Sequence, residues 1–380
     1  MIHYLNNAGA GLMSDDTINT ITNYLHLEKK IGAYQAAKSS KNEIDTFYKT
    51  VVSLINASST DEIAFMDSAS RAWNMLIYGL DINEGDKIIT LSSEFGTNLI
   101  TLFDKASKVN AKVKVISCAN DGSFSMKSLE EYLKDGAKVI ALSHVAAHGS
   151  IVNPVKEIGV LAKKYGATYI VDGCQALGQI AVDVQDIKCD AYLTTGRKWL
   201  CGPRGTAFLY VKSSSFFNAT QLDLASADLI LDNNRNVLTV KIISTARKFE
   251  LWERSISNML GFSSAIQQYM MKDKQAISEK IKVHADKLRL SISKNTNLNL
   301  IGKIKSTSGI VGFYLKNPIH EKNALDIFFK QSIEISTMSD WDCPLHFSKE
   351  NGESIIFRLS PHYYTDDSTI ETTINILDNL

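Results

Sequence analysis

From about residue 60 to residue 212 the chain alternates short apolar, β-branched runs with longer stretches whose apolar residues recur at helical spacing. The runs are DEIAFM, KIITLSS, VKVISC, KVIALSHV, TYIVDG, DAYLTT and GTAFLYV, and the intervals include the amphipathic stretches 97–109 and 155–165. Runs without strict alternation suit strands covered on both faces, and strands that alternate with helices form parallel crossover units. The pattern therefore predicts a mainly parallel, seven-stranded sheet with helices on both sides. Only GRKWLCGPRG separates the last two runs, too little chain for a helical crossover, so one antiparallel strand is expected there. Past residue 235 the rhythm changes. A helical region over 258–294 leads to shorter strand patterns near 309–316, 333–338 and 354–360, then to an amphipathic helix from Thr365. The expected class is α/β: an N-terminal segment over 1–14, a large domain over 15–255 and a smaller C-terminal α+β domain over 256–380.

Composition narrows the partners. With 380 residues, 44% of them hydrophobic, the chain can bury a large core. Its 41 basic residues balance 41 acidic ones and are scattered, which leaves no electrostatic footprint for nucleic acid or a membrane surface. A small molecule is the expected partner. No apolar run is long enough to span a bilayer, and the opening MIHYLNNAGAGLMS has no basic or apolar leader region, which points to the cytoplasm. The five cysteines stand singly, without CxxC or Cys/His clusters, so reduced thiols and no metal site are expected. No strand is followed by GxGxxG, which argues against a nicotinamide dehydrogenase.

Sheets of this kind bind ligands outside the carboxyl ends of their strands, so polar residues that follow the apolar runs are the candidates. After DEIAFM comes Asp67-Ser68-Ala69-Ser70-Arg71, a small-residue turn opening a helix, which offers backbone N–H groups and the positive helix end to a phosphate. Asp172 follows TYIV. A carboxylate at a buried strand end needs a cationic or hydrogen-bonding partner, which a pyridinium N–H would supply. After AYLTT comes Gly196-Arg197-Lys198, and a lysine desolvated in a pocket has a lowered pKa and forms an imine with an aldehyde. Each feature alone also fits an ordinary cap or a surface charge; their combination is more specific.

VDGCQALGQIAVDV followed by DAYLTTGRKWLCGPRGTAFLYV resembles the cofactor region of class V aminotransferases and cysteine desulfurases. The resemblance implies a fold-type I pyridoxal 5′-phosphate (PLP) enzyme. It makes Lys198 the Schiff-base lysine, Asp172 the partner of the pyridine nitrogen, Gln175 the partner of the ring hydroxyl and Thr195 a phosphate ligand. DSASRAWN resembles the family's phosphate-binding helix start, which adds Ser70 and Ala69. YLNNAGAG resembles its N-terminal substrate-side loop, with Asn7, and IIFRLSPHYY its C-terminal strand, whose arginine, here Arg358, grips a substrate α-carboxylate. A homodimer acting on an amino-acid substrate is likewise implied.

The chain departs from the desulfurase pattern in three places. SSEFGTNL carries Phe95 and Gly96 where desulfurases have a histidine that stacks on the cofactor; Phe95 is the expected stacking residue, and His148, or else His144, the candidate for proton work. ARKFELWERS has Trp252 and Glu253 where a Gly-Thr pair lends a hydroxyl to the neighbouring subunit's phosphate. Cys343 precedes Arg358 as a desulfurase nucleophile would, yet its flank SDWDCPLHF keeps little of the desulfurase approach, and it reads as a buried thiol. These features resemble the branch of isopenicillin-epimerase-like proteins and ergothioneine carbon–sulfur lyases. Elimination at Cβ–S is the leading expectation, with transamination or epimerisation as alternatives and a non-catalytic regulatory homologue as the contrasting one.

Overall fold

The computed structural model of the protein describes residues 2–213, 217–346 and 355–380. Much of the sequence segment 339–353, and the first residue of the strand pattern begun at 354, lie outside the described residues. A two-residue strand β1 (His3–Tyr4) opens the chain. The large sheet contains β2 (Ile63–Met66), β3 (Lys87–Leu91), β4 (Lys112–Ile116), β5 (Val139–Ser143), β6 (Thr168–Asp172), β7 (Ala191–Thr195) and β8 (Ala207–Val211). Their order across the sheet is β2-β8-β7-β6-β5-β3-β4. Six strands run in one direction, and β8 alone runs antiparallel to its neighbours β2 and β7, as the short connection after β7 requires. All residues of β5, β7 and β8 are buried, which is why these runs lack alternation.

The helices Gly96–Lys108 and Val155–Tyr165 fall where helical spacing predicts them, Ala69–Gly79 follows the small-residue turn, and Met126–Lys134 makes a further connection between strands. The expected single helical region divides into Ile256–Met271 and Lys274–Lys294, and Asp273 caps the second by accepting from the N–H groups of Gln275 and Ala276. Met259, Phe262 and Ile266 of the first helix join the apolar cluster that holds Phe47, Val51 and Phe208, so this helix packs against the body of the large sheet. Helices Asp15–Ile31, Ala33–Ser39 and Lys41–Ile55 complete that face. A hairpin of β9 (Ala227–Leu231) and β10 (Val237–Ile242) projects from the region the sequence pattern leaves as loop.

A second, antiparallel sheet is built from β11 (Leu298–Ile301), β12 (Val311–Leu315), β14 (Ser336–Met338) and β15 (Ile356–Leu359), in the order β11-β12-β15-β14, after the two-residue β13 (Ile333–Glu334) has paired in parallel with β1. Helix Asp367–Leu377 packs on helix Lys274–Lys294 beside it. The two sheets meet where β12 passes the loop after β5. A Cβ on Gly312 would lie 1.8 Å from the carbonyl oxygen of His148, a backbone atom that cannot step aside. Gly312→Ala is therefore expected to destabilise the protein by about 1–3 kcal/mol through overpacking, read as a lower thermal midpoint against wild type.

Candidate active site

The carboxyl ends of β6 and β7 and two helix starts converge on one cavity of about 370 Å³. Asp172 ends β6 and is buried, its Oδ1 accepting the Cys174 N–H at 2.8 Å and its Oδ2 the Asn98 side-chain amide at 2.9 Å. Gly173 turns the chain directly behind it, where a Cβ would meet the Tyr192 ring at 2.1 Å. Gln175 is oriented from both ends: its Oε1 accepts from Trp199 Nε1 at 2.9 Å and its Nε2 donates to the Ala8 carbonyl at 3.1 Å. Thr195 ends β7 and donates to the Thr206 carbonyl at 3.3 Å.

Three residues on, Lys198 lines the same cavity. Burial holds its amine down to about 8; Arg197 and Arg358 push the same way, and Cys174 and Asp172 oppose them. Such an amine exchanges protons near neutral pH. At the other end, Ser68 caps helix Ala69–Gly79 by accepting the Arg71 N–H, so the first turn at Ala69 and Ser70 faces the cavity with backbone N–H groups that have no partner within the helix. Arg204 lines the cavity too, and its guanidinium has no hydrogen bond or ion pair among the described residues.

A cationic ring nitrogen fits Asp172, a phosphate fits the Ala69–Ser70 helix start, an aldehyde fits the Lys198 amine, and a ring hydroxyl fits Gln175. These groups together match PLP. Phe95 also lines the cavity.

A model of the aminotransferase class-V family matches residues 3–372. The chain belongs to the aminotransferase class-V family. It is a PLP-dependent enzyme with the fold-type I architecture. A protein of Pyrococcus abyssi described as a probable cysteine desulfurase is 25% identical over 389 aligned residues, covering 99% of this chain and 94% of that protein. Among solved structures, the apo cysteine desulfurase of Thermococcus onnurineus NA1 superposes with a TM-score of 0.88 at 22% identity, covering 100% of this chain and 94% of that one. The complex of the cystine C–S lyase C-DES with its reaction product cysteine persulfide gives 0.87 at 18% identity, covering 100% of this chain and 98% of that one.

Three expected site residues do not line the cavity. Arg358 of β15 lies behind its wall, donating through Nη1 to the carbonyl of Ala147, a lining residue, at 3.0 Å and through Nε to Ser336 at 2.9 Å. Burial pushes its guanidinium down to about 10. Asn7 is fully buried, donating to the Ser360 carbonyl at 2.7 Å and accepting from the Tyr364 hydroxyl, so it braces the N-terminal loop. His148 is the clear correction. Its ring is fully buried, 3.3 Å from the Cys343 Sγ and against His346, with burial holding it well below the usual imidazole range. His144 also points inward, to the Tyr192 hydroxyl at 3.3 Å, and burial lowers it to about 4.

Cys343 is fully buried in an apolar cluster with Ala146, Ile151 and Ile356, and burial pushes its thiol up. Asn98, Ser143, Cys174 and Arg204 line the cavity without having been anticipated. Asn98 had a legible signal: it stands three residues after Phe95, on the same face of its helix.

Because the neutral amine is the reactive form, labelling of Lys198 in the cofactor-free protein by a small aldehyde and cyanoborohydride should rise with pH through a midpoint near 8, followed by mass spectrometry of the Lys198 peptide. A midpoint at the ordinary lysine value would contradict the desolvated site.

Proposed function

We propose that this enzyme cleaves the Cβ–S bond of a cysteine-derived amino acid by elimination, with Lys198 carrying the cofactor. The observation that carries the site is the convergence of Lys198, Asp172, Gln175, Thr195 and the Ala69–Ser70 helix start on one cavity. The relatives support the sulfur chemistry, since one is described as a probable cysteine desulfurase and a structural neighbour as a cystine C–S lyase.

When bound, PLP supplies an aldehyde for exchange with amines and a ring that takes up the electron pair left by a bond broken at Cα. Asp172, fixed by two donors, presents negative charge to the ring-nitrogen end of the cavity. Gln175 would offer its amide to the ring hydroxyl, and the Ala69 and Ser70 N–H groups with Thr195 would hold the phosphate. Lys198 holds a proton weakly enough to take one from the substrate's Cα and return it to the departing sulfur. Arg358 keeps its Nη2 unpartnered among the described residues, a position from which it grips the α-carboxylate beyond Ala147.

Direct elimination is preferred over transfer of sulfur to a protein thiol because Cys343 is sealed beside His148 and its thiol is held protonated. Cys174 lines the cavity, but burial and the neighbouring Asp172 push its thiol well above the usual range.

We further propose a cytoplasmic homodimer that uses a small amino-acid substrate without nucleic acid or membrane partners, with residues 15–255 as the large and 256–380 as the small domain. No helix among the described residues is long and apolar enough to cross a membrane. Leu229, Val237 and Leu238 of the β9–β10 hairpin are exposed in the single chain, surface that association would cover.

Borohydride treatment of the PLP-saturated protein should leave the cofactor attached to the Lys198 peptide, and Lys198→Ala should retain none; label kept in that variant would overturn the assignment. Cys343→Ser should release sulfide from cysteine at a rate close to wild type. Complete loss of release with the fold intact would establish persulfide chemistry instead.

A further inference from the structure

One buried charge has no part in the chemistry above. Glu94 follows β3, is 1% exposed, and does not line the cavity. Its Oε2 accepts the Ser143 N–H at 2.6 Å; its Oε1 accepts the Phe95 N–H and the Asn98 side-chain amide, each at 2.9 Å, and the Ser143 hydroxyl. Phe95, Asn98 and Ser143 all line the cavity, so Glu94 stands behind the wall and holds three of its residues.

The same Asn98 nitrogen donates to Asp172 Oδ2 at 2.9 Å. Two carboxylates thus divide the two N–H bonds of one amide. This dictates the orientation of Asn98, because the flipped amide would set its oxygen against both carboxylates. It also fixes one oxygen of Asp172 on the side away from the Cys174 N–H.

We propose that Glu94 is a positioning residue for Asp172: through Asn98 it fixes the carboxylate that meets the cofactor's ring nitrogen, and its own charge strengthens the negative field there. The inference rests on the PLP reading of the site. The ionisable groups that face Glu94 are Asp172 from β6 and Cys343 from the segment after β14. No cation pairs with it among the described residues, and a purely structural bracket would need only the acceptor atoms. Burial raises its carboxyl to about 7, with Asp172 adding to the rise and the Ser143, Phe95 and Asn98 donors opposing it.

The test compares wild type, Glu94→Gln and Asn98→Ala, each saturated with PLP and checked for fold by circular dichroism. Glu94→Gln keeps the shape but loses the charge, and Asn98→Ala breaks the link while leaving the Ser143 and Phe95 bonds to Glu94. Both should bind PLP about tenfold more weakly, the scale of one lost charge-assisted hydrogen bond. Both should also move the pH midpoint of the bound cofactor's absorbance change downward, since a weaker negative field holds a proton on the cofactor less firmly. Unchanged affinity and midpoint in Glu94→Gln would overturn the proposal. If that variant does not fold, an unchanged midpoint in Asn98→Ala does so.

The coupling is also measurable without cofactor, by carbon-13 titration of the Glu94 carboxyl. Its midpoint, near 7 in wild type, should fall in Asp172→Asn, because the like charge that raises it is gone. An unmoved midpoint would overturn the proposal. Wild type that takes up no PLP would defeat the cofactor reading and leave this titration to decide the coupling.

Discussion

Asp172, Glu94 and Arg358 are buried and Lys198 is partly buried around one cavity, and a charge so placed is tolerated only where hydrogen bonds or an opposite charge replace its hydration. Much of the architecture follows from that requirement. A parallel sheet brings the ends of β5, β6 and β7 side by side, so a polar residue after each strand can reach the same space. The turns that follow then supply the replacements: the Cys174 N–H for Asp172, the Phe95 and Ser143 N–H groups for Glu94, the Ala147 carbonyl for Arg358. Lys198 has no side-chain hydrogen bond among the described residues, and burial holds its amine down to about 8, while burial lifts the Glu94 carboxyl to about 7 despite its donors.

The large sheet was legible because its strands, apart from the edge strand β4, are largely buried and therefore read as apolar runs. The antiparallel course of β8 followed from the length of one connection. Lys198, Asp172 and Gln175 were legible for a related reason, since each sits just past such a run and only a few residue types meet the demands of a buried strand end. The hairpin β9–β10 was not. Its residues are exposed on both faces, so neither alternation nor a buried run marks it, although Asp232 accepting the Asn234 and Asn236 N–H groups gives its turn a physical signature.

His148 shows where reading by position fails. It lies soon after β5, as a pocket residue should, but Val145 and Val152 pair across the loop and fold it back. Ala147 then faces the cavity, and its neighbour is sent into the space between the sheets, toward Cys343 and β12. Arg358 arrives from the far sheet and reaches the wall only by way of that same loop. Which of two adjacent residues faces a ligand depends on a tertiary pairing that spacing along the chain does not encode.

The opening residues carry a different kind of consequence. β1 pairs with β13, Asn6 bridges to Ser360, and the Ala8 carbonyl holds Gln175, so the start of the chain is wedged between its middle and its end. A ribosome delivers these partners hundreds of residues apart, and the loop that steadies Gln175 has no seat until the last strand has emerged. The nascent chain can assemble most of the large sheet early, but the site stays incomplete until β15 and Ser360 have been made, and until then its polar walls stand open.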